Sequence, residues 1–461
     1  MLLCSHPDTV HRFPLCKTQT STLPRKGGSI NNIPQIGMTP AVADFRYRAP
    51  LMPRLHGLSL YRENVYKSNI ACQGEKAYTN DICGPRAAIP FTEKIRKARK
   101  EFMKRIGMLT SGGDCQALNA TMRGVVKGLT HATKDVEIYG FEEGYKGLIY
   151  GNYRLLTSSD FSGILTKGGT IIGSSRQPFK LMRTPDANGL DKVAAMKQNY
   201  HKLRLDCLVI LGGNGTQKTA NLLREEGLNI IHLPKTIDND IYGTDLTFGY
   251  QSAINIATEA IDCIHTTASS HGRCFIVEVM GHKVGWLTLS AGIAGGADII
   301  LIPEIPYDIE KVCQAIQDRH DNGKKFTILA VAEGAISKEM AAMDKKEFKK
   351  AQAKLAKDYP SVSYKLAEEI TAKTGAEVRV TVPGHTQRGG SPCPFDRVLS
   401  TKLGAYASTL IMKEQYGYMV AIVNNEIKKV KLGDCAGKLK SVDPKDQTVQ
   451  LAKTIGISFG D

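Results

Sequence analysis

No stretch of this sequence holds the roughly eighteen consecutive apolar residues of a membrane-spanning helix, which argues against an integral helical membrane protein. The first twenty residues mix apolar residues with His, Asp, Arg and Pro. They lack the continuous apolar stretch of a secretory signal, so a cytoplasmic location is expected. The eleven cysteines fall singly, with no CxxC pair and no His-rich spacing. That argues against a disulfide framework or a zinc site and points to reduced thiols. Aromatic residues are only 7% of the chain, and residues 1–102 offer no stacking platform of the RNP type. A nucleic-acid partner is therefore not expected, although the chain is basic.

What is present fits a two-domain α/β enzyme. A length of 461 residues is long for one domain, and 44 glycines imply many tight turns. Of the net charge of +16, +9 falls on residues 1–102 and +7 on the rest, a modest excess suited to phosphate ligands. Residues 1–102 scatter Pro, Ser, Asn and Arg without helical or strand period, apart from a short basic helix candidate over Thr92–Phe102. They are read as disordered, or as an over-extended reading frame or disposable extension. Met103 opens MKRIGMLTSGGD as a natural start for a first strand, and codons for Arg99, Lys100 and Glu101 suit a purine-rich ribosome-binding sequence.

From residue 103 onward a regular plan repeats. KRIGML leads to SGGD, DCLVIL to GGNGT, NIIHLP to KTIDND and RCFIVEVM to GHKVG, with ADIILIPE and KFTILAVAE following suit. Strand, turn and helix in alternation predict open, parallel-rich sheets covered on both faces, with ligands at the carboxyl ends of the strands. The Lys-, Ala- and Glu-rich stretch 338–374 reads as a helix, a break at Pro360 and a second helix, a solvated surface insertion.

The chemistry sits in the turns. SGGD precedes a helix, so its small residues can admit an anion to backbone N–H groups, although a plain structural turn reads the same way. GGNGT is a second such turn, and two on neighbouring strands can cradle a polyphosphate. In PKTIDND, Asp238 and Asp240 stand two apart behind Thr236 and Lys235. One carboxylate can take a proton from a sugar hydroxyl while its neighbour holds a metal ion or its waters. A turn with satisfied Asx hydrogen bonds is the plainer alternative. Arg273, Arg379, His385 and Arg388 lie beside turn residues, where guanidinium groups can bind a phosphorylated substrate.

SGGDCQALNATMRGVV, GGTIIGSSR, GGNGT, PKTIDND, SSHGR, VEVMGHKVGW, AVAEG and GHTQRGGSP together resemble the phosphofructokinase family, in its order and approximate spacing, over nearly all of residues 103–425. The resemblance implies two doubly wound, Rossmann-like α/β domains, interleaved within residues 103–461, with the active site in the cleft between them. It implies transfer of the γ-phosphoryl group of ATP to the 1-hydroxyl of fructose 6-phosphate, with Mg²⁺. Gly113, Tyr145, Arg176, Gln177, Gly213, Asn214, Gly215 and Thr216 match the donor site, and Arg176 would also neutralise the transferring phosphoryl group. Asp238 matches the general base, Thr236 orients the transferred phosphate, and Asp240 lies near the metal with Asp238. Ile237, Met280, Gly281, His282 and Glu333 match sugar contacts. Arg273, Arg379, His385 and Arg388 match the 6-phosphate site, and Thr386 and Gln387 match substrate-binding positions. Family members place the counterparts of Arg273 and Arg379 in a neighbouring subunit's site, so a homo-oligomer, tetramer or dimer, is implied.

The sequence departs from the family's common pattern in three respects. Its usual Asp is Asn214 here, an amide that coordinates a cation without negative charge; restoring the carboxylate is expected to tighten the Mg²⁺ dependence. Lys235 is Gly in many ATP users and Lys in pyrophosphate users, whereas Gly215 is Asp in pyrophosphate users. The family's basic effector contacts match Arg123, Lys127 and Lys324, but His265 and Asn322 differ, so its ADP activation and phosphoenolpyruvate inhibition do not carry over. Two competing readings remain: a pyrophosphate-dependent phosphotransferase on the same sugar, and a non-catalytic sugar-phosphate sensor.

Overall fold

The computed structural model describes residues 103–461; the expectations for residues 1–102 lie outside the described residues. The strands are β1 (Lys104–Ser111), β2 (Val136–Phe141), β3 (Tyr153–Leu156), β4 (Cys207–Gly212), β5 (Ile230–Pro234), β6 (Cys274–Val279), β7 (Ile299–Leu301), β8 (Thr327–Ala332), β9 (Val378–Thr381), β10 (Tyr418–Val423) and β11 (Glu426–Lys431). They form a seven-stranded sheet, β11-β10-β5-β4-β1-β2-β3, and a four-stranded sheet, β7-β8-β6-β9. The four-stranded sheet is parallel throughout, and the larger one is parallel except at its edges, β3 and β11.

Residue chemistry explains the placement. CLVILG in β4 and TILAVA in β8 are buried at every position, the near-continuous apolar run of a strand covered on both faces. EIKKVK in β11 is mostly exposed, and its lysines suit an edge that must not pair further. The larger sheet takes β10 and β11 from beyond the segment that builds the smaller one, so the chain leaves the first sheet, completes the second and returns.

The helices that position the site are α1 (Leu118–Ala132), α2 (Asn214–Glu225), α3 (Tyr250–His271), α4 (Trp286–Ala294), α5 (Lys345–Asp358), α6 (Val362–Thr374) and α7 (Pro394–Met412). One continuous apolar cluster runs through both sheets, joining Val209 and Leu211 of β4 to Val277 of β6 and Ile300 of β7 through α3. The fully buried Asp396 of α7 pins the start of α3. Its carboxylate accepts from the Gly249 N–H at 3.2 Å and from the Ser252 N–H and hydroxyl at 2.8 and 2.6 Å. This side chain from another helix thus takes the place of a local cap.

The 338–374 stretch differs from a wholly solvated insertion. Helix α5 buries nothing, as its Lys and Ala composition predicts, and the break falls at Tyr359–Ser361. Helix α6, however, buries Val362, Leu366 and Ile370 in the core of the smaller sheet. Their i, i+4, i+8 spacing makes one apolar face, which the surrounding Lys and Glu mask in composition.

Candidate active site

A cleft of about 790 Å³ lies where the carboxyl ends of β1, β4 and β5 meet those of β6 and β8. On the donor side the GGNGT turn starts α2 with Gly213 as its cap residue and no side-chain hydrogen bond at the cap. The first amides of a 12-residue helix therefore face the cleft, where the chain concentrates partial positive charge. A Cβ at Gly215 would meet nothing within 4 Å, so the space above this turn is open.

The neighbouring SGGD turn is held from two sides. The Gly112 N–H donates to Ser175 O at 3.1 Å and the Ser174 hydroxyl donates to Gly112 O at 2.6 Å, which brings Arg176 and Gln177 to the cleft wall. Lys235, buried at the end of β5, donates from Nζ to the Gly113 carbonyl. Burial, its largest influence, lowers the Lys235 pKa. Across Gly113 lies the Arg388 guanidinium, so close that a Cβ there would overlap its terminal nitrogen at 1.9 Å. The Arg388 Nε is buried with no hydrogen-bond partner, and the residue lines the cleft.

The TIDND loop is a built turn that also presents carboxylates. Thr236 Oγ1 accepts from the Asp238 N–H at 3.1 Å. Asn239 adopts a left-handed φ of 53°, and its amide oxygen accepts from the Thr247 N–H at 3.1 Å. This leaves Asp238 and Asp240 lining the cleft. Burial first, and the Asp238 charge second, push the Asp240 carboxyl up to about 6. A carboxylate pair in that condition gains from a cation.

Facing them, β6 leads into Met280, Gly281 and His282. Gly281 has φ 152° and a Cβ would lie 2.5 Å from Val284 O, so only glycine fits. His282 is itself left-handed, φ 53°, and the Glu333 carboxylate accepts its N–H at 2.7 Å. Strain of this kind in a non-glycine residue survives where the surroundings enforce it.

The cleft therefore gathers Gly113, Arg176, Gln177, Gly213, Asn214, Gly215, Thr216, Lys235, Thr236, Ile237, Asp238, Asp240, Met280, His282, Glu333, His385 and Arg388. Gly281 is not among the residues that line it. Tyr145, expected at the donor site, is instead fully buried, and its hydroxyl donates to Thr216 O at 2.9 Å, bracing the turn from beneath. Gln387, expected to bind substrate, is also buried. Its Oε1 accepts from the Met280 N–H at 3.2 Å, and its carbonyl accepts from Gln116 Nε2 at 2.9 Å. Thr386 turns away, its hydroxyl donating to Pro383 O at 2.8 Å.

Arg273 and Arg379 stand at the opposite end of their sheet. Arg273 precedes β6, Arg379 pairs in register with Phe275, and both guanidinium groups share Glu377, Arg273 at 2.9 Å. Arg273 and Met280 are seven positions apart, with the six residues of β6 between them, roughly 23 Å of extended chain, so neither arginine reaches the cleft of its own chain.

Other residues here escaped the sequence reading. Asp114, Phe179, Lys218, Lys283 and Leu439 line the cleft, while Asn119 holds the glycine turn before Arg176 by donating to Lys167 O and Gly168 O. Lys218 was legible in principle: it lies one helical turn after Asn214 and shares its face. Among the described residues, no group of three or more His, Cys, Asp or Glu could cage a metal ion. The donor set instead fits an ion that arrives with a polyphosphate. Mg²⁺ bound in this way keeps several waters and needs one or two carboxylates, a number that Asp238 and Asp240 could supply.

With this geometry in view, the class is defined by two glycine turns and a carboxylate pair gathered at the ends of neighbouring strands in one cleft, a phosphotransferase site. The chain belongs to the phosphofructokinase family, whose model it matches over residues 105–411. It is 53% identical over 362 residues to the ATP-dependent 6-phosphofructokinase of Spirochaeta thermophila, covering 77% of this chain and 97% of that one. It is 46% identical to ATP-dependent 6-phosphofructokinase 3 of Bacteroides thetaiotaomicron, covering 77% and 100%. Among solved structures, phosphofructokinase from Saccharomyces cerevisiae superposes with a TM-score of 0.61 at 29% identity, over 76% of this chain and 46% of that one. This chain thus spans about half of the yeast polypeptide it matches. A pyrophosphate-dependent phosphofructokinase from Nitrosospira multiformis shares the fold, with a TM-score of 0.64 at 18% identity over 78% and 93% of the chains.

Proposed function

We propose that this cleft transfers the γ-phosphoryl group of ATP to the 1-hydroxyl of fructose 6-phosphate, giving fructose 1,6-bisphosphate and ADP, the glycolytic reaction. The observation that carries this reading is the uncapped start of α2, with open space above Gly215, beside Asp238 in one cleft. Relatives named ATP-dependent 6-phosphofructokinase support the choice of donor.

In this reading the sugar lies between Met280, His282 and Glu333, with its 6-phosphate on Arg388 and His385. The Asp238 carboxylate accepts the proton of the 1-hydroxyl as that oxygen attacks the γ-phosphorus, and the bond to the ADP oxygen breaks. The α2 amides at 214–216 hold the charge of the donor phosphates, Arg176 neutralises the transferring group, and Thr236 orients it. Lys235 fixes the SGGD turn through the Gly113 carbonyl, a service compatible with either donor. Mg²⁺ held by Asp238, Asp240 and the donor phosphates would supply charge neutralisation at the leaving oxygens. Asn214 stays a candidate ligand through its amide oxygen, which is buried and unpartnered.

The separation of Arg273 and Arg379 from their own cleft supports a homo-oligomer in which each completes a neighbour's 6-phosphate site. The seven cysteines among the described residues are unpaired, and no helix among those residues is long and apolar enough to cross a membrane. A cytoplasmic location is part of the proposal. Assay of the purified enzyme with ATP and with pyrophosphate, at matched Mg²⁺, tests the donor. Turnover with pyrophosphate far above that with ATP would overturn it, and no turnover with either would favour a sensor.

A further inference from the structure

Residues 436–442, beyond the family match, run as an irregular strap along the cleft, which Gly437 and Leu439 line. The strap is fastened at three places. On the donor side, Asn214 Nδ2 donates to the Lys438 carbonyl at 3.1 Å. A carboxylate at position 214 has no proton to give and would set its oxygens against that carbonyl, so the contact requires the amide. In the middle, Leu439 pairs with Ile241 as an antiparallel bridge, and the Lys440 N–H donates to Asp240 O at 2.9 Å. Lys440 Nζ donates to Thr244 O at 3.0 Å and Asp245 O at 2.7 Å, closing the loop that carries both catalytic carboxylates. On the far side, Trp286 Nε1 donates to Lys440 O at 3.1 Å, and Glu304 Oε1 accepts from Val442 N at 2.9 Å and Gly285 N at 3.0 Å.

We propose that this strap is a positioning element for phosphoryl transfer, in which Lys440 locks the loop carrying Asp238 and Asp240, and Asn214 latches the strap to the donor turn. The consequence is geometric. Donor turn and base loop belong to different strands, β4 and β5, and both are fastened to the same seven residues. Their separation is thereby fixed from outside the sheet, across the gap that the attacking oxygen and the γ-phosphorus must share. A misplacement of 1 Å at such a gap costs about 10²-fold in rate. Asn214 acquires a role that the family's usual aspartate could not fill in this chain. Lys440 acts through the loop and touches no substrate.

The proposal rests on the phosphotransfer reading, and wild-type turnover with ATP tests that reading separately. The strap itself is tested in the full chain by Lys440→Met, Asn214→Ala, the double variant and Lys440→Arg, each with steady-state kinetics and thermal unfolding. Lys440→Met keeps the backbone contacts and loses the Nζ bonds. We expect kcat to fall about 10- to 100-fold, the KM for fructose 6-phosphate to stay within about threefold, and Lys440→Arg to recover most of the loss. The double variant should be no worse than Lys440→Met by more than about threefold, because both changes release one strap. A kcat for Lys440→Met within about twofold of wild type, a loss matched by the fall in folded fraction, or fully multiplicative effects would overturn the proposal. If Lys440→Met fails to fold, Asn214→Asp decides: a kcat loss of about tenfold supports the latch, whereas undiminished turnover with tighter Mg²⁺ dependence refutes it.

Discussion

Replacing Gly215 by aspartate tests the donor assignment at a position where the protein itself has little to lose. The added Cβ meets nothing within 4 Å, and no left-handed backbone is involved. The residue lies in the first turn of α2, where a carboxylate stabilises a helix by about 0.3–1 kcal/mol. Folding should therefore be unimpaired, and any loss of turnover belongs to the ligand. A carboxylate here occupies the open space above the turn and repels a nucleotide phosphate bound there, taken at a separation of about 4 Å. At an effective dielectric constant of about 20 that repulsion is about 4 kcal/mol, roughly three orders of magnitude in kcat/KM for ATP. Steric overlap adds to it. Pyrophosphate, which has no third phosphate to place there, should be spared. The assay is coupled ADP production, with phosphate release followed in parallel for pyrophosphate and thermal unfolding as the folding control. A folded Gly215→Asp enzyme that keeps kcat/KM for ATP within about tenfold of wild type would refute the reasoning.

Asp238→Asn keeps the turn and removes the proton acceptor; kcat should fall about 10²–10⁴-fold with fructose 6-phosphate binding nearly kept, as read by steady-state kinetics and equilibrium dialysis. His232, fully buried on β5 with both ring nitrogens unpartnered, has its pKa lowered to about 3 chiefly by burial. The folded state holds it neutral, so its contribution is whole above about 6.5 and is lost as pH falls towards 3. His232→Leu should therefore gain on wild type by up to about 1.4 kcal/mol per pH unit across that window, measured by denaturant unfolding at several pH values. Arg379→Ala should raise the KM for fructose 6-phosphate without altering the unfolding midpoint. Mixed oligomers of Arg379→Ala and Asp238→Asn chains should regain turnover, since one active site in such an oligomer can combine the intact half of each.

The carboxylates, glycine turns and cleft arginines were legible because chemistry restricts residue type there. Asp238 at a strand end and Gly215 at a helix start have few other uses in that order. The fold was legible for a related reason: buried parallel strands such as CLVILG and TILAVA admit little but apolar residues. Tyr145 and Gln387 were misplaced because their types suit both a ligand contact and a brace, and only packing decides which. Burial of the Tyr145 ring directs its hydroxyl to Thr216 O and away from the cleft. Lys440 left no trace in the sequence, since its role comes from backbone carbonyls nearly two hundred positions away. The face of α6 was concealed by the Lys and Glu residues between Val362, Leu366 and Ile370.

The return of the chain to its first sheet sets a timetable for synthesis. β5 pairs with β10, which begins at Tyr418, 184 residues after β5 ends at Pro234. At about 5–20 residues per second, a ribosome needs roughly 9–37 seconds to make that stretch. Meanwhile β5 is an unprotected edge rich in Ile and Leu, while the four strands of the smaller sheet emerge and can pair with one another. The second half of the molecule is thus equipped to fold before the first is closed. A nascent chain stalled before residue 418 would present that edge to other chains, which makes the last hairpin, β10 and β11, the step that ends its exposure to aggregation.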